Sequence, residues 1–444
     1  MAEPVKIREL KHFDPILNLL EPEERAILAA QGVEVDPENP PKPYDFFELI
    51  SRVVYGSDEI VRHPFGALLF GRYDDADAAC RNPALGAMGL AGILASGITS
   101  GPLYELFSSL MFSADGAGHQ RLRSTVQAWF MPKAVESCRF AIEACARERL
   151  EPFQTRRYGD LFTEYADPLA LSAALIRLGA PIDQLPRLRD ATIAVFHAFF
   201  PMTPEAVERA ERGIATLGAF ADDLMATRRR DPADDLVSHL LRCADEGRLT
   251  SREVRAMIVN LLFGGHDLLR GAIVNGMFTL MRFRDQWDRL VADPALARTA
   301  AEESLRFAAG GAVGRMATAP TEIRGCPIAA GTMVFAGGPA SNRDPAHVEH
   351  PHVFDVGRTR SRLFTLGAGD HFCLGASLAR LTLEIAPEGR CEREEARRLV
   401  RRSGNGVPRP PGRHVRRSRA LSGRATLHHK WVFEWGPASC RVPY

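Results

Sequence analysis

The chain has 444 residues and a formal net charge of +1, with 45% hydrophobic and 25% charged residues. These values are typical of a globular protein and give no overall charge signal for nucleic-acid binding. Residues 1–6 lack the apolar run of a signal peptide. The longest apolar stretches, 88–98 and 257–263, are far shorter than the roughly 18–20 residues of a membrane span. We therefore expect a cytoplasmic protein without a membrane span.

Helical patterns dominate the chain between a mixed N-terminal region, residues 1–64, and a small β region. Residues 65–73 predict a short pair of strands. Apolar residues then recur three and four apart from about 75 to 283, the spacing of helices. Asp231 to Asp235 predicts a helix start with Pro232 in its first turn. Thr250 and Glu253 form a capping box at the start of a long helix that reaches about residue 280. Residues 318–336 predict a small sheet.

The composition changes abruptly after residue 386. Residues 65–386 contain no repeat and no linker, which indicates one large domain. Residues 387–444 are rich in Arg and poor in Leu, Ile and Val, without a sustained period. Two explanations remain open: a basic, partly disordered tail for an acidic partner, or a frameshifted C-terminus that was never selected to fold. We favour the frameshift, because the change falls within a helix and interrupts its apolar stripe.

The segment from Leu366 to Gly375, LGAGDHFCLG, singles out one of eight otherwise scattered cysteines. Cys373 lies in a glycine-rich turn directly before a helical pattern. A thiolate there would lie at a helix N-terminus, where the dipole and the free N–H groups favour negative charge. The glycines, Gly367, Gly369 and Gly375, let the backbone pass close to something large and flat. The segment therefore predicts a thiolate presented to a haem iron.

Further motifs make residues 65 to 386 resemble a cytochrome P450. Glu303-Ser-Leu-Arg306 matches the family's ExxR motif and puts both charged groups on one helix face. Arg358 lies shortly before the cysteine loop, where the family has a third charged partner. The resemblance implies that Glu303, Arg306 and Arg358 form a buried network that holds the loop. It also implies the P450 fold, mainly α with minor β, in which a long distal helix crosses the haem beside a small β-sheet region.

The resemblance also implies haem b (iron protoporphyrin IX) as the cofactor, with Cys373 as the axial ligand of its iron. His119-Gln-Arg-Leu-Arg123 matches the helix that directs a His and an Arg toward the haem propionates. Propionates are anions that need charged hydrogen-bond donors. The residues that match these partners are His119, Arg123, Arg315 and His371. Leu366 stands where the family usually has a Phe beside the sulfur, and its apolar side chain would still shield that sulfur.

On the distal side the family carries A/G-G-x-D/E-T, in which the small pair opens a groove for O2 and the acid and alcohol deliver protons. This chain has Gly264-Gly265-His266-Asp267-Leu268. The glycines and Asp267 match, whereas Leu268 stands where the threonine is expected. Leucine neither donates a proton nor holds a water. Three hypotheses stay open: proton delivery through the substrate or an ordered water, peroxide-driven or coupling-type chemistry, or a non-catalytic haem-binding remnant.

The implied reaction is oxidation, foremost hydroxylation, of a hydrophobic small molecule with O2. Electrons would come from a separate ferredoxin and ferredoxin reductase, because the chain has no flavin or iron–sulfur segment of its own. Nucleic acid is not an expected partner. By the resemblance, substrate contacts would come from residues 88–107, 196–202 and 308–313 and from the groove at 264–268, which are apolar and glycine-rich.

Overall fold

A mostly helical body and a small six-stranded sheet make up the protein. The structure is a computed structural model and describes residues 7–9, 29–30, 51–55, 59–63, 66–156, 158–199, 202–308, 311–359, 363–388 and 433–434. The described strands are β1 Ile7–Glu9, β2 Ile60–Arg62, β3 Leu68–Phe70, β4 Leu85–Ala87, β5 Tyr158–Gly159, β6 Ala312–Ala317, β7 Thr321–Ile323, β8 Cys326–Ile328, β9 Met333–Gly337 and β10 Phe433–Glu434. The main sheet has the order β1-β2-β3-β9-β6-β4. The pairs β1–β2 and β3–β9 are parallel, and the other pairs of this sheet are antiparallel.

The helices carry most of the core. The helices that the structure describes over their full length are α1 Tyr73–Arg81, α2 Ala91–Ala95, α3 Gly101–Ser108, α4 Gly116–Val126, α5 Pro132–Glu136, α6 Arg139–Arg156, α7 Asp167–Leu178, α8 Leu185–Phe196, α9 Pro204–Arg230, α10 Leu236–Asp245, α11 Ser251–Arg282, α12 Arg284–Ala292, α13 Ala297–Phe307 and α14 Ala376–Glu388. One large apolar cluster joins these helices, and a smaller cluster lies under the sheet. The prediction of a mainly α protein with minor β is confirmed.

The long helix α11 runs through the centre of the body. Thr250 Oγ1 accepts a hydrogen bond from the Glu253 backbone at 3.1 Å, and the Glu253 carboxylate accepts one from the Thr250 backbone at 2.8 Å. This is the predicted capping box. The helix contacts α7, α8, α9 and α14. It is long and apolar enough in composition to cross a membrane, but 56% of its most apolar window is buried in the protein, as expected of a core helix.

Two predictions about local structure are wrong in detail. The helix expected to start within Asp231–Asp235 begins at Leu236, because Asp235 is its N-cap and accepts a hydrogen bond from Ser238 N at 2.8 Å. The described residues 66–73 contain one strand rather than a pair: β3 takes β2 and β9 as its neighbours, and α1 begins at Tyr73. Within the predicted small sheet at 318–336, β7 and β8 form a two-stranded sheet of their own, whereas β9 joins the main sheet beside β3 and β6.

The Arg-rich C-terminal segment is described only at its two ends. Residues 387–388 complete α14. Strand β10 pairs antiparallel with β5, with Phe433 opposite Gly159. The hypotheses about the remainder of 387–444 lie outside the described residues, as do those about most of 1–64.

Candidate active site

The loop before α14 bends tightly around Cys373. The Cys373 backbone N–H donates to Leu366 O at 2.9 Å and closes the loop. Gly367 and Gly369 have φ of 72° and 69°, in the region that favours glycine. A Cβ on Gly369 would lie 2.7 Å from Cys80 O, so the loop also needs a small residue there for close packing. The backbone thus presents the Cys373 sulfur at the N-terminus of α14.

The Cys373 side chain favours the protonated thiol form more strongly than its position at a helix N-terminus alone suggests. Burial raises the pKa of Cys373, whereas the Gly375 backbone N–H and the nearby Arg123 guanidinium lower it, and burial prevails. A coordinating metal deprotonates a thiol outright. The side chain is therefore suited to hold a thiolate only when a metal cation is bound to it.

A buried charge network lies behind this loop. Glu303 and Arg306, which are 1% and 0% exposed, share two hydrogen bonds of 2.7 Å. Arg358 Nε donates to the same carboxylate at 3.0 Å, and so does the Asp355 backbone N–H. The remaining guanidinium protons of Arg306 point to the carbonyl oxygens of Asn342, Pro351 and Val353. Each charge in this network therefore has partners, as a buried ion pair requires.

Asn342 and Thr365 connect that network to the cysteine loop, and neither was assigned a role from the sequence. Asn342 Oδ1 accepts from the Phe364 backbone at 2.7 Å, and its Nδ2 lies 2.6 Å from Thr365 Oγ1. Thr365 in turn donates to Leu305 O, on α13, at 2.7 Å. These contacts fix the backbone just before Leu366. An amide and a hydroxyl separated by 23 positions give no spacing signal from which this pairing could be predicted.

Four side chains that can carry a positive charge surround the cysteine loop. They are the four that the resemblance assigned to the haem propionates. The His119 and His371 rings stack with their centroids 4.2 Å apart. Arg123 Nη2 donates to the Phe372 carbonyl at 2.7 Å. Arg315 is 5% exposed, and its buried Nη2 has no hydrogen-bond partner among the described residues.

The surroundings of this cluster disfavour positive charge on its two histidines. Burial, together with the neighbouring His371 and Arg123, lowers the pKa of His119 to about 4. Burial also lowers the pKa of His371, although Asp115 at 3.0 Å opposes that shift. Buried cations without anionic partners are unfavourable. Their arrangement fits an added anion, and the two propionates of a haem would supply it.

The middle of α11 has an open face, formed by Gly264 and Leu268. Leu268 is 62% exposed and Gly264 is exposed as well, although both lie within a mostly buried helix. Gly265 faces elsewhere, since a Cβ on it would lie 3.2 Å from the Ala174 Cβ on α7. The two glycines therefore have different roles. Gly264 leaves a gap on the open face, and Gly265 lets α7 and α11 approach closely.

Asp267 is held in an ion-pair network and is not free to turn toward the open face of α11. Its carboxylate pairs with Arg270, three residues along α11. Arg270 Nη1 also lies 2.8 Å from Asp167 Oδ1, and Arg189 of α8 binds the same Asp167 carboxylate. His266 is fully buried, with Nδ1 2.7 Å from Thr192 Oγ1.

The centre of the network is Asp167, whose carboxylate is fully buried. Burial alone would raise the pKa of Asp167, but the nearby His266 ring and the hydrogen bonds from Arg270 and Arg189 outweigh it and hold the pKa well below its usual range. His266 Nε2 lies 3.1 Å from Asp167 Oδ1, although it is not aligned for a hydrogen bond. Sequence reasoning missed Asp167 and Arg189, because they reach His266 and Arg270 only through the packing of α7 and α8 on α11.

Aromatic rings from two predicted substrate regions, 88–107 and 196–202, meet beside α11. Phe107 and Phe199 lie 5.4 Å apart, and both pack near Phe263, at 6.3 and 6.1 Å. Phe112 lies 5.0 Å from Phe199. Gly92 permits this arrangement, since a Cβ there would lie 2.4 Å from the Phe199 carbonyl carbon. Residues 200–201 and 309–310 of the predicted regions lie outside the described residues.

No group of three or more His, Cys, Asp or Glu side chains in the described part of the chain is placed to hold a free metal ion. Cys373 as a single protein ligand is compatible with a metal that brings its other ligands in a macrocycle.

Comparison with known proteins agrees with this geometry. Residues 295–387, which contain α13, the cysteine loop and α14, match the family model described as "Cytochrome P450". The chain is 34% identical to a methyl-branched lipid omega-hydroxylase of Mycobacterium tuberculosis, over 71% of this chain and 74% of that protein. It is 33% identical to the nocardicin C N-oxygenase of Nocardia uniformis, over 62% of this chain and 69% of that protein.

The fold agrees as well. A solved structure of a myxobacterial cytochrome P450 in complex with myristic acid superposes with a TM-score of 0.68 at 30% identity, covering 81% of this chain and 89% of the other. The match extends through the helical body and the sheet and thus well beyond the family-model region. With the ion-paired ExxR helix and the Cys373 loop in place, this chain belongs to the cytochrome P450 family, the haem-iron monooxygenases.

Proposed function

We propose that the protein hydroxylates a hydrophobic small molecule, using haem b bound through Cys373. The observation that carries this proposal is the position of Cys373 at the N-terminus of α14, a helix that packs against α11. The lipid hydroxylase and the myristate-bound P450 are consistent with an apolar substrate, and so is the aromatic cluster of Phe107, Phe199 and Phe263.

Each predicted site residue has a distinct part in this proposal. Haem iron, when bound, supplies the activation of dioxygen, and electron donation from a thiolate favours O–O cleavage. His119, Arg123, Arg315 and His371 would bind the propionates. The glycines of the loop, Gly367, Gly369 and Gly375, allow the macrocycle to lie close to the backbone.

Glu303, Arg306 and Arg358 have no contact with the reacting atoms and keep the cysteine loop in place. Their effect on catalysis would be indirect, through the position of Cys373. On the distal side Gly264 leaves room for O2 and substrate. Asp267 is the remaining acid near that space, and Leu268 excludes the water that an alcohol would hold.

We also propose the cellular setting of the reaction. Electrons would come from a separate ferredoxin and ferredoxin reductase in the cytoplasm, because no flavin or iron–sulfur segment occurs in the sequence. Residues 65–386 would form the P450 core, residues 1–64 its N-terminal region, and residues 387–444 an atypical tail.

A peroxide-driven oxidation is the second candidate, and Leu268 favours it. An enzyme that takes up hydrogen peroxide receives its oxygen and protons together and has less need of a distal alcohol. The test is turnover of one apolar substrate with hydrogen peroxide alone and with NADPH, ferredoxin and reductase. The monooxygenase proposal expects faster product formation with the ferredoxin system, whereas equal or faster turnover with peroxide supports the alternative.

Haem binding is tested first, by the reduced-CO difference spectrum of the purified protein. A band at the position typical of thiolate-ligated haem is the expected result. A preparation with no Soret band after haem supplementation would contradict both candidates and favour a non-catalytic remnant.

A further inference from the structure

Asn260 lies on the open face of α11. Asn260, Gly264 and Leu268 are spaced four residues apart, so they project from the helix in nearly the same direction. Gly264 and Leu268 are both exposed. Asn260 therefore lies one helical turn before Gly264 on the same face.

The carboxamide of Asn260 is buried and unpartnered. Asn260 is 9% exposed, and its enclosed Oδ1 has no hydrogen-bond partner among the described residues. A Cβ on Gly264 would lie 3.4 Å from Asn260 Nδ2, which shows that the amide nitrogen points toward the gap left by the glycine. An unpaired buried amide lowers stability, so an apolar residue would be more stable at this position.

Phe263, three positions along α11 from Asn260, belongs to the apolar core. It is 1% exposed and packs with Phe107 at 6.3 Å and with Phe112 at 6.4 Å. The Asn260 amide is thus a polar group on an otherwise apolar stretch of the helix.

We propose that Asn260 is a specificity-determining residue that donates a hydrogen bond from Nδ2 to a carbonyl or hydroxyl oxygen of a largely apolar substrate. This inference rests on the proposed function and names the substrate class. Four residues of α-helix span about 6 Å, so the recognised oxygen lies roughly one helical turn from the gap at Gly264. Oxidation is thereby directed to a carbon remote from that oxygen.

The test uses the haem-loaded full chain and two ligands of similar shape, 4-phenylcyclohexanone and phenylcyclohexane. Binding is titrated through the shift of the Soret band. In the wild type the ketone binds more tightly than the hydrocarbon, by about 2- to 10-fold, because one hydrogen bond is gained. Asn260→Leu removes that preference, while the affinity for the hydrocarbon stays the same or rises.

Asn275→Leu is the matched control. Asn275 lies on the same helix, but its Nδ2 donates to Ala308 O at 3.0 Å. This variant keeps the ketone preference. If Asn260→Leu keeps it as well, or if both variants lose it equally, the proposal is overturned.

Thermal unfolding without ligand gives a second readout that a purely structural asparagine would not reproduce. Asn260→Leu melts at the same or a higher temperature than the wild type, because an unpaired amide is removed, whereas Asn275→Leu melts lower. A lower melting temperature for Asn260→Leu overturns the proposal. The melting temperatures alone decide the outcome if neither ligand shifts the Soret band. Failure of the proposed function has a different signature, the lack of a thiolate-type CO band in the wild type.

Discussion

Replacing Glu303 by Gln tests whether the buried network holds the cysteine loop. Gln keeps the size of the side chain and removes its charge. The Arg306 guanidinium would then remain fully buried without its bidentate carboxylate partner, and Arg358 would lose the same partner. Removing one member of a buried pair costs about 3–5 kcal/mol.

Glu302→Gln is the matched control, one position earlier on the same helix. Glu302 pairs with Arg380, and both side chains are about one-third exposed, at 33% and 36%. Exposed pairs of this kind contribute at most about 1 kcal/mol, because solvent screens them. The two variants therefore differ in burial and in little else.

The assay is urea unfolding followed by circular dichroism and, in the haem-loaded protein, by Soret absorbance. We expect Glu303→Gln to lower the unfolding midpoint far more than Glu302→Gln and to release haem at lower urea concentration. If both variants lose the same small amount of stability, then the network does not support the loop and the reasoning from burial fails.

The remaining predictions concern the ligand, the cofactor anchors and the distal side. Cys373→Ala abolishes the thiolate-type CO spectrum, and an unchanged band would refute the ligand assignment. His119 has a folded-state pKa of about 4, below the usual value near 6.5, so the unfolded chain binds more protons between these values. The stability of the haem-free protein therefore falls as the pH drops from about 6.5 toward 4, by at most roughly 1.4 kcal/mol per pH unit for this group; His119→Gln flattens that profile in denaturant titrations. Leu268→Thr lowers the peroxide released per NADPH consumed, and unchanged leakage would show that protons arrive by another route. Asp167→Asn leaves buried cations without their shared anion and lowers stability by about 3 kcal/mol, as measured by urea unfolding.

The proximal side could be predicted because its signals are local in sequence. Glu303 and Arg306 are one helical turn apart, which is enough to place both on one face. The loop around Cys373 needs φ values that glycine favours, and Gly367 and Gly369 occur where they are required. The link through Thr365 could not be found in this way, since its partners come from other segments.

The distal side was harder to predict, because residues that share a helix there face different neighbours. Gly264 and Gly265 look equivalent in sequence, yet only Gly265 contacts α7. Likewise, the helix start predicted within Asp231–Asp235 falls at Leu236, where Asp235 is the N-cap and its carboxylate also pairs with Arg228. Tertiary contacts of this kind have no fixed spacing along the chain.

We propose that Asp167 affects catalysis as well as stability, because it competes with Asp267 for Arg270. With Leu268 in place of the distal alcohol, Asp267 would be the acid left to move protons, and its carboxylate is paired with Arg270. Arg270 is also held by Asp167; when Asp267 turns toward the gap at Gly264, the guanidinium keeps one carboxylate partner. The release of Asp267 therefore costs less than breaking an isolated buried pair. In Asp167→Asn this second anion is gone, Arg270 binds Asp267 alone, and we expect proton delivery to slow and peroxide leakage to rise. Loss of stability with unchanged leakage would show that Asp167 supports only the packing of α7, α8 and α11.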